Sequence, residues 1–424
     1  MSLVSARPRL TSRPAAEAGQ ARTPRRSVVL LVFVLGVLSA TSSLATDLYL
    51  PAFPDIAADL NATESQIQLT LTAVMVGLAL GQLVIGPLSD RWGRRRPLLV
   101  GTAMFALSSL LCMTVTSPEM FSALRFVQGI AAAAGMVIAR AVVRDTFSGD
   151  AAAKFFSRLV LLVGLAPMLG PILGGQLMLI GPWQLIFAVL GVAGLAGTGL
   201  VYFGLPETLA PQDRTRRDPV LMLRTFGRLL RDPRFIAPSM TMALSFAMTF
   251  TYISAFSFVS QEELGATAQQ FSLVFGINTL GMILGNQVNV ALISRMHTSR
   301  RLFVGLIGAT LSIVALGILG LSGTAGLIEV TVVLFVMMLC TGLISPNATT
   351  LAVASQPSSL GGTSSALLGT MQFAIGGILA SAAGLTSTGE ATLTSMTLVM
   401  LATAVTATAV FGIATARGHT ETAA

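Results

Sequence analysis

Residues 66–96 read QIQLTLTAVMVGLALGQLVIGPLSDRWGRRR. The stretch begins with about 20 mostly apolar residues, the length that an α-helix needs to cross the hydrocarbon core of a bilayer. It ends in a loop with arginines at positions 91, 94, 95 and 96. Basic loops of this kind are enriched on the cytoplasmic side of membrane proteins. The stretch therefore predicts a transmembrane helix followed by a cytoplasmic loop.

Apolar runs of similar length recur along the whole chain. Of its 424 residues, 53% are apolar and only 10% are charged, whereas a soluble domain carries about 25% charged residues. We count about twelve such runs. They begin near Val28, Gln66, Pro97, Met120, Leu159, Trp183, Phe235, Phe271, Leu302, Leu327, Thr363 and Leu393. This pattern predicts an all-α membrane protein with twelve transmembrane helices.

The positions of the basic residues decide whether the net charge of +8 indicates a nucleic-acid partner or a membrane topology. Of the 26 Lys and Arg residues, all except Arg125 fall in the tails or in alternate loops, as the positive-inside rule requires of cytoplasmic segments. The charge thus predicts membrane topology and no nucleic-acid partner. Both termini are expected to be cytoplasmic, so the number of crossings is even. A cleaved signal peptide is the alternative for the N-terminus, but apolar character continues to Phe53, which favours a first span.

The longest polar break, Pro206 to Arg234, divides the runs into six and six. Two halves of similar length are typical of transporters built from an internal repeat. We therefore expect five segments: a disordered basic cytoplasmic tail (1–26), an N-terminal six-helix bundle (27–205), a cytoplasmic linker (206–233), a C-terminal six-helix bundle (234–416) and a cytoplasmic tail (417–424).

Two charged residues fall within predicted spans, where ionisable groups are costly and are functional candidates by default. Asp47 lies in the outer part of the first span, and Arg125 lies about two turns into the fourth. The two side chains could meet directly or through water and form a proton-sensitive pair. The alternative is that Arg125 only holds the fourth span against the first while Asp47 lies at the outer interface.

The loop after the second span is a candidate conformational gate, made of Gly86, Asp90, Arg91, Gly93, Arg94 and Arg95. Positive-inside charge alone explains the arginines but not Asp90. We expect this carboxylate to meet the N-terminus of the eleventh span, near Gly361 to Ser365, where free backbone N–H groups attract anions. The alternative is an ordinary solvated loop.

Residues 164–175, GLAPMLGPILGG, predict a kinked and closely packed fifth span, because in lipid the freed backbone groups are satisfied by neighbouring helices. The residues concerned are Gly164, Pro167, Gly170, Pro171, Gly174 and Gly175. We expect them to pack and to take part in conformational change rather than to contact a ligand.

Uncharged polar and aromatic side chains within the spans are candidates for lining an apolar substrate cavity. They are Tyr49, Gln128, Tyr252, Asn278 and Gln372. Hydrogen bonds between helices are the alternative role. The sequence contains no phosphate-binding loop and no metal-ligand cluster. We therefore expect no enzyme, no metal and no cofactor.

Four segments resemble the major facilitator superfamily, and in particular its bicyclomycin/chloramphenicol-resistance (Bcr/CflA-type) branch of drug:proton antiporters. Residues 86–96 resemble the cytoplasmic loop motif of the superfamily, and RFVQG at 125–129 resembles its fourth-helix motif. Residues 164–175 resemble the antiporter motif. Most specific is DLYLPAFPD at 47–55, which matches the branch's Asp-Met-Tyr-Leu-Pro signature apart from Leu48.

The resemblance implies two pseudo-symmetric six-helix bundles that export small hydrophobic drugs from the cytoplasm by alternating access, in exchange for protons. Asp47 would take up and release the proton, Arg125 would assist it, and Asp90 with the following arginines would form the gate. The expected setting is a bacterial inner membrane, with a monomeric protein. One departure is the matching loop of the second half, which keeps only Arg295, Arg300 and Arg301.

Two rival functions remain open at this point. A metabolite exporter or uptake carrier of the same fold would share all the helices and the gate. A membrane receptor or scaffold that transports nothing would lack an internal repeat and a central cavity.

Overall fold

The computed structural model describes residues 25–147, 149–214, 219–357, 360–384 and 390–418, and within these ranges the chain forms helices and no strands. The α-helices are α1 (Arg25–Asp47), α2 (Phe53–Asp59), α3 (Glu64–Trp92), α4 (Arg95–Cys112), α5 (Pro118–Thr146), α6 (Gly149–Ile180), α7 (Gln184–Gly204), α8 (Pro219–Leu229), α9 (Pro233–Phe258), α10 (Ala268–Leu292), α11 (Thr298–Leu321), α12 (Leu327–Ala354), α13 (Gly361–Ala380) and α14 (Leu393–Ala416). The predicted all-helical class is confirmed for these ranges.

Nine helices of the described chain are long and apolar enough to cross a membrane. They are α3, α5, α7 and α9 to α14, where α9 continues through the π-helical turn Val259–Glu263. A shorter apolar helix covers Leu165–Ile180 within α6. The multi-pass membrane class is therefore supported, while the number twelve and the cytoplasmic side of the termini stay predictions. Most of the predicted tails, at 1–24 and 419–424, lies outside the described residues.

Three helices of the described chain begin with a capping box, and in two of them, α3 and α10, it joins Thr to Gln. The Thr63 hydroxyl accepts from the backbone of Gln66 at the start of α3, and the Gln66 side chain accepts in return from the Thr63 backbone. Thr267 and Gln270 repeat this capping box at the start of α10. A capping box satisfies backbone donors that a helix N-terminus otherwise leaves unpaired. The shared Thr–Gln capping box of α3 and α10 supports an internal repeat.

The long helices pack in two groups. Helices α1 and α3 to α7 pack mainly on one another, with α5 lying along α3 and α4. Helices α9 to α14 do the same, with α12 lying along α10 and α11. Between the groups, α3 packs on α13 and α6 packs on α10. We call these the first and second groups.

The two ends of the molecule differ in charge. The loops at 51–63 and 259–267 carry Asp and Glu but neither Lys nor Arg, and we call this side the acidic end. The basic end carries the α3–α4 loop, the end of α5 and the segment that joins the groups. That segment contains α8, whose Phe226 and Leu229 are buried while Arg224 and Arg228 are exposed.

Candidate functional site

Arg125 on α5 is completely buried. Its Nη2 donates to the Ala45 carbonyl oxygen of α1 at 2.6 Å, and its Nη1 donates to the Gln128 side-chain oxygen. The guanidinium carbon lies 3.9 Å from the centre of the Tyr49 ring and 5.5 Å from that of Phe187. A cation over aromatic faces is stabilised electrostatically. Arg125 is thus held by neutral groups from α1, α5 and α7 and from the turn after α1.

Gln128 extends this network to a fourth helix. Its Nε2 donates to the Ser109 hydroxyl of α4 at 2.6 Å, and the Tyr49 and Thr70 hydroxyls hydrogen-bond at 3.1 Å. Buried polar groups are costly unless they are paired. The contacts of Tyr49 and Gln128 therefore match the interhelical role that the sequence offered as the alternative to cavity lining.

Asp47 is the last residue of α1 and is 6% exposed. The positive charge of Arg125 acts on its carboxyl group through space. Among the described residues, however, the ion pairs join Arg94 to Asp90 and Asp145, and none joins Asp47 to Arg125. The direct contact that the sequence allowed is therefore absent in this structure. A carboxylate at a helix C-terminus also faces the negative end of the helix dipole.

Helix α6 passes α1 at the level of Asp47. A methyl group added at Gly170 would lie 2.9 Å from the Asp47 Cβ, and one at Gly174 would strike the Leu48 carbonyl oxygen. On its other side, α6 receives a hydrogen bond of 3.2 Å from Gln269 of the second group to the Gly175 carbonyl oxygen. Small residues let helix backbones approach closely in this way.

The same glycine-rich helix contains the two prolines of the predicted motif. Pro167 and Pro171 both lie inside α6 rather than at its ends. Each proline removes one backbone hydrogen bond from the helix. Gly164 belongs to the same helix, but its surroundings lie outside the described part of the chain.

At the basic end, Arg94 joins two helices. Its Nη1 donates to Asp90 of α3 at 2.6 Å and its Nε donates to Asp145 of α5 at 2.8 Å. Burial would lower the pKa of Arg94, but the bonds to Asp145 and Asp90 outweigh it and raise that pKa. Asp145 lies 51 positions from Arg94 in the chain, and the sequence analysis missed it.

Glu207, just after α7, holds the α3–α4 loop from the other side. Its carboxylate accepts from the backbone N–H groups of Arg94 at 2.8 Å and Arg95 at 3.3 Å. Gly93 has φ +88°, a conformation that favours glycine. Burial alone would raise the pKa of Glu207, but the backbone N–H groups of Arg94, Leu209 and Arg95 and the charge of Arg214 together lower it.

Two further members of the predicted gate lie at its rim. Arg95 donates from Nη2 to the Tyr202 carbonyl oxygen at 2.6 Å and also covers the Tyr202 ring. Arg91 is exposed, as ordinary positive-inside charge would be.

A cavity of about 250 Å³ opens beside this loop. Its wall includes Gly86 and Asp90 of α3, Arg140 and Arg144 of α5, and residues 362, 363, 365 and 366 of α13. Asp90 and the start of α13 thus line the same cavity, which agrees with the expectation that they lie near each other. Direct contact between them stays a prediction.

The remaining cavity candidates lie in the second group. Asn278 Nδ2 donates to the Tyr252 hydroxyl at 3.0 Å, and both side chains are completely buried. Gln372 of α13 is half-buried. Tyr252 and Asn278 therefore form a pair of their own, apart from the Arg125 network.

The second group also contains a network that the sequence did not reveal. Arg301, 6% exposed, donates to the Asn289 side-chain oxygen at 2.8 Å, and Asn347 donates to the same oxygen at 2.7 Å. Asn289 accepts from Arg301 as Asp90 accepts from Arg94, whereas Asn347 binds Asn289 and not the arginine. The second loop thus keeps a buried arginine although its sequence motif is eroded.

The comparisons with known proteins agree on one family. A family model described as Major Facilitator Superfamily matches residues 35–381. The chain is 37% identical over 378 residues to the MFS-type transporter YdgK of Bacillus subtilis, which covers 88% of this chain and 92% of the relative. It is 33% identical over 362 residues to the "Bicyclomycin resistance protein homolog" of Haemophilus influenzae, at 84% and 89% coverage.

Solved structures show the same fold. A bacterial homologue of the human lysosomal transporter Spinster, in an inward-facing and occupied conformation, superposes with a TM-score of 0.72 and 17% identity over 95% of this chain and 100% of that one. The matches confirm the resemblance to the bicyclomycin-resistance branch and indicate a transporter rather than an enzyme. The protein is therefore a multi-pass membrane transporter that belongs to the Major Facilitator Superfamily.

Proposed function

We propose that this protein exports small, fairly hydrophobic drugs from the cytoplasm in exchange for protons. The proposal takes its substrate class from relatives named for bicyclomycin and multidrug resistance. One structural observation carries the coupling: Asp47 is a buried carboxyl group with no ion-pair partner in the described chain, and it packs directly against the glycine-rich helix α6.

The way in which Arg125 is held makes this role for Asp47 feasible. Removing one partner of a buried ion pair leaves a costly unpaired charge. Arg125 has its own acceptors in Ala45 and Gln128, so protonation of Asp47 breaks neither of these hydrogen bonds. Arg125 then acts as a fixed positive field that favours release of the proton from Asp47.

Alternating access completes the proposed mechanism. In it, twelve transmembrane helices form two six-helix bundles, residues 27–205 and 234–416, with both termini in the cytoplasm of a bacterial cell and the protein acting as a monomer. The separate packing of the two groups and the matching capping boxes of α3 and α10 support this arrangement. Arg94, which ties α3 to α5 beside α13, would steady the cytoplasmic gate.

The cavity residues complete the proposal. Tyr49 and Gln128, beside Arg125, would sense the state of Asp47, while Tyr252, Asn278 and Gln372 would offer polar contacts from the second group. Asn278 supports this role, because its side-chain oxygen is buried without a hydrogen bond in the described structure. A buried unpaired acceptor is costly and is available to a ligand donor.

A drug-panel efflux assay in a pump-deficient host tests the proposal. Wild type is compared with Asp47→Asn and Arg125→Ala, and Glu329→Gln serves as a control because Glu329 is an exposed acid at the start of α12. We expect efflux by wild type and the control, and loss of proton-driven efflux in both test variants. Efflux that survives both substitutions would refute the coupling role.

The same panel separates the rival carriers. If no drug is exported but growth on a particular nutrient depends on the protein, the chain is a metabolite carrier of the same fold. The drug-export proposal then fails, while the family assignment stands.

A further inference from the structure

Two arginines in the wall of the basic-end cavity have no acidic partner in the described chain. Arg140 and Arg144 lie one turn apart on α5, and both line the cavity. The ion pairs of the described residues belong to Arg94 instead. No hydrogen bond joins either guanidinium group to another described residue. All the donors of these two arginines are therefore available to a ligand.

The acids at this end are held by other groups. Asp90 and Asp145 bind Arg94 at 2.6 Å and 2.8 Å. Glu207 accepts from the backbone N–H groups of the α3–α4 loop. Of these three acids only Asp90 lines the cavity. The carboxylates thus stabilise the loop and Arg94, and none of them is bonded to the two arginines of α5.

Arg140 lies deeper in its helix than the sequence predicted. The sequence analysis placed it in a cytoplasmic loop, whereas α5 continues to Thr146. The six positions from 140 to 146 correspond to about 9 Å along a helix. Helix α5 is long and apolar enough to cross a membrane. An ionisable group within such a helix is costly and is a functional candidate by default.

The rest of the wall suits a small amphiphilic compound. Leu83, Val137 and Phe226 contribute apolar surface, and Thr363 and Ser365 of α13 contribute hydroxyl groups. The cavity volume of about 250 Å³ lies just below the ~300–1,000 Å³ of sites that hold drug-sized ligands. The cavity therefore takes a compact compound or one end of a longer one. Guanidinium groups bind carboxylate and phosphate through charge-assisted hydrogen bonds.

We propose that this cavity binds the carboxylate or phosphate group of a small amphiphile through Arg140 and Arg144. The apolar part of the compound then lies against Leu83, Val137 and Phe226. A soluble aromatic acid and an anionic phospholipid share this chemistry. The binding site goes beyond the proposed drug export and does not require it. The competing explanation, that the two arginines are only solvated positive-inside charge, predicts no preference for an anion.

The site also lies where a transported compound must pass. Arg140 and Arg144 belong to the first group, and Thr363 and Ser365 belong to the second. A bound anion is thus held between the two groups at the basic end. If the ligand is a soluble acid, the exported compounds include anionic ones, and this consequence alone rests on the proposed export.

The first arm of the test uses a soluble acid. Equilibrium dialysis measures binding of radiolabelled 1-naphthoate to the full-length protein in detergent, and uncharged 1-naphthamide is the matched ligand. Arg140→Gln and Arg144→Gln are compared with wild type. Arg96→Gln is the control, because Arg96 is exposed at the start of α4 and does not line the cavity. Circular dichroism and gel filtration show that each variant is folded.

A soluble ligand predicts that wild type and Arg96→Gln bind naphthoate at least about tenfold more tightly than naphthamide. Each cavity variant should weaken naphthoate binding by about tenfold or more, since it removes a charge-assisted hydrogen bond. Binding of naphthamide should change little, because the amide lacks the charge that the arginines recognise.

The second arm tests a lipid headgroup. The protein is reconstituted with equal amounts of phosphatidylglycerol and phosphatidylcholine and extracted in mild detergent. Native mass spectrometry then counts the lipids that stay bound. Preferential retention of phosphatidylglycerol by wild type and Arg96→Gln, but not by the double variant Arg140→Gln/Arg144→Gln, identifies a lipid as the ligand.

A positive result in either arm supports the site and names the source of the anion. The site is overturned if neither arm shows a preference for the anionic ligand, or if that preference survives substitution of both arginines. Neither arm measures efflux, so failure of this site and failure of drug export are distinguishable.

Discussion

Arg125 and Tyr49 show how a buried charge is kept in lipid by groups without charge. The Tyr49 ring covers the guanidinium group, and its hydroxyl binds Thr70. The ring and the hydroxyl can be removed separately, so their contributions are separable.

We expect Tyr49→Phe to cost about 1 kcal/mol of stability, the worth of one hydrogen bond. Tyr49→Leu should cost about 1 kcal/mol more, because it also removes the cation–π contact. Thermal unfolding in detergent measures both. Equal losses in the two variants would show that the ring contributes nothing to holding Arg125.

Glu207 allows a pH prediction at the basic end, because its pKa is lowered by backbone N–H donors in the native state. A carboxylate with a depressed native pKa contributes stability above its unfolded pKa, about 4.3, and loses it as the pH falls through the native value. Glu207→Gln should therefore lower the melting temperature at pH 7 and make a smaller difference near pH 4. A difference that grows in acid would contradict this.

Helix α6 carries the prediction at the scale of an element. Its close passage by α1 depends on glycine, since a methyl group at Gly170 would lie 2.9 Å from the Asp47 Cβ. We expect Gly170→Ala to push α6 away from Asp47 and to reduce efflux by about tenfold or more, as misplacements of about 1 Å at a working site do.

The matched control is Gly199→Ala in α7, where an added methyl group meets nothing within 4 Å. Efflux is measured at equal membrane expression. If Gly170→Ala exports as well as Gly199→Ala does, the close approach of α6 to Asp47 is not needed for transport.

Relative motion of the two groups is a property of the whole molecule. The Thr72 hydroxyl of α3 donates to the Gly377 carbonyl oxygen of α13 at 2.9 Å, and a methyl group at Gly377 would lie 3.7 Å from the Thr72 Cγ2. Positions 72 and 377 are therefore close enough for an engineered disulfide, once the Met75 Cβ that lies 3.1 Å from an added Cβ at 377 shifts slightly. Oxidised Thr72→Cys/Gly377→Cys should stop efflux, and a reductant should restore it.

Each single cysteine variant controls for the substitution itself. Continued export by the fully cross-linked protein would contradict alternating access between the groups, whatever the substrate.

The sequence alone determined the class of the protein and the position of its charges along the chain. Apolar runs of spanning length indicate membrane helices because lipid offers no partner for an exposed backbone. The same logic singled out Asp47 and Arg125, since charge within such a run is rare.

Only the tertiary structure decided which groups meet. Arg94 binds Asp145, Glu207 holds the loop that precedes α4, and Glu64 reaches Ala391 across 327 positions. The tertiary structure also shows that Asp47 has no ion-pair partner among the described residues. The length of an apolar run shows whether a helix is surrounded by lipid or by water. The partner of a charged side chain depends instead on how helices that are distant in the chain pack together, and no local sequence pattern encodes that packing.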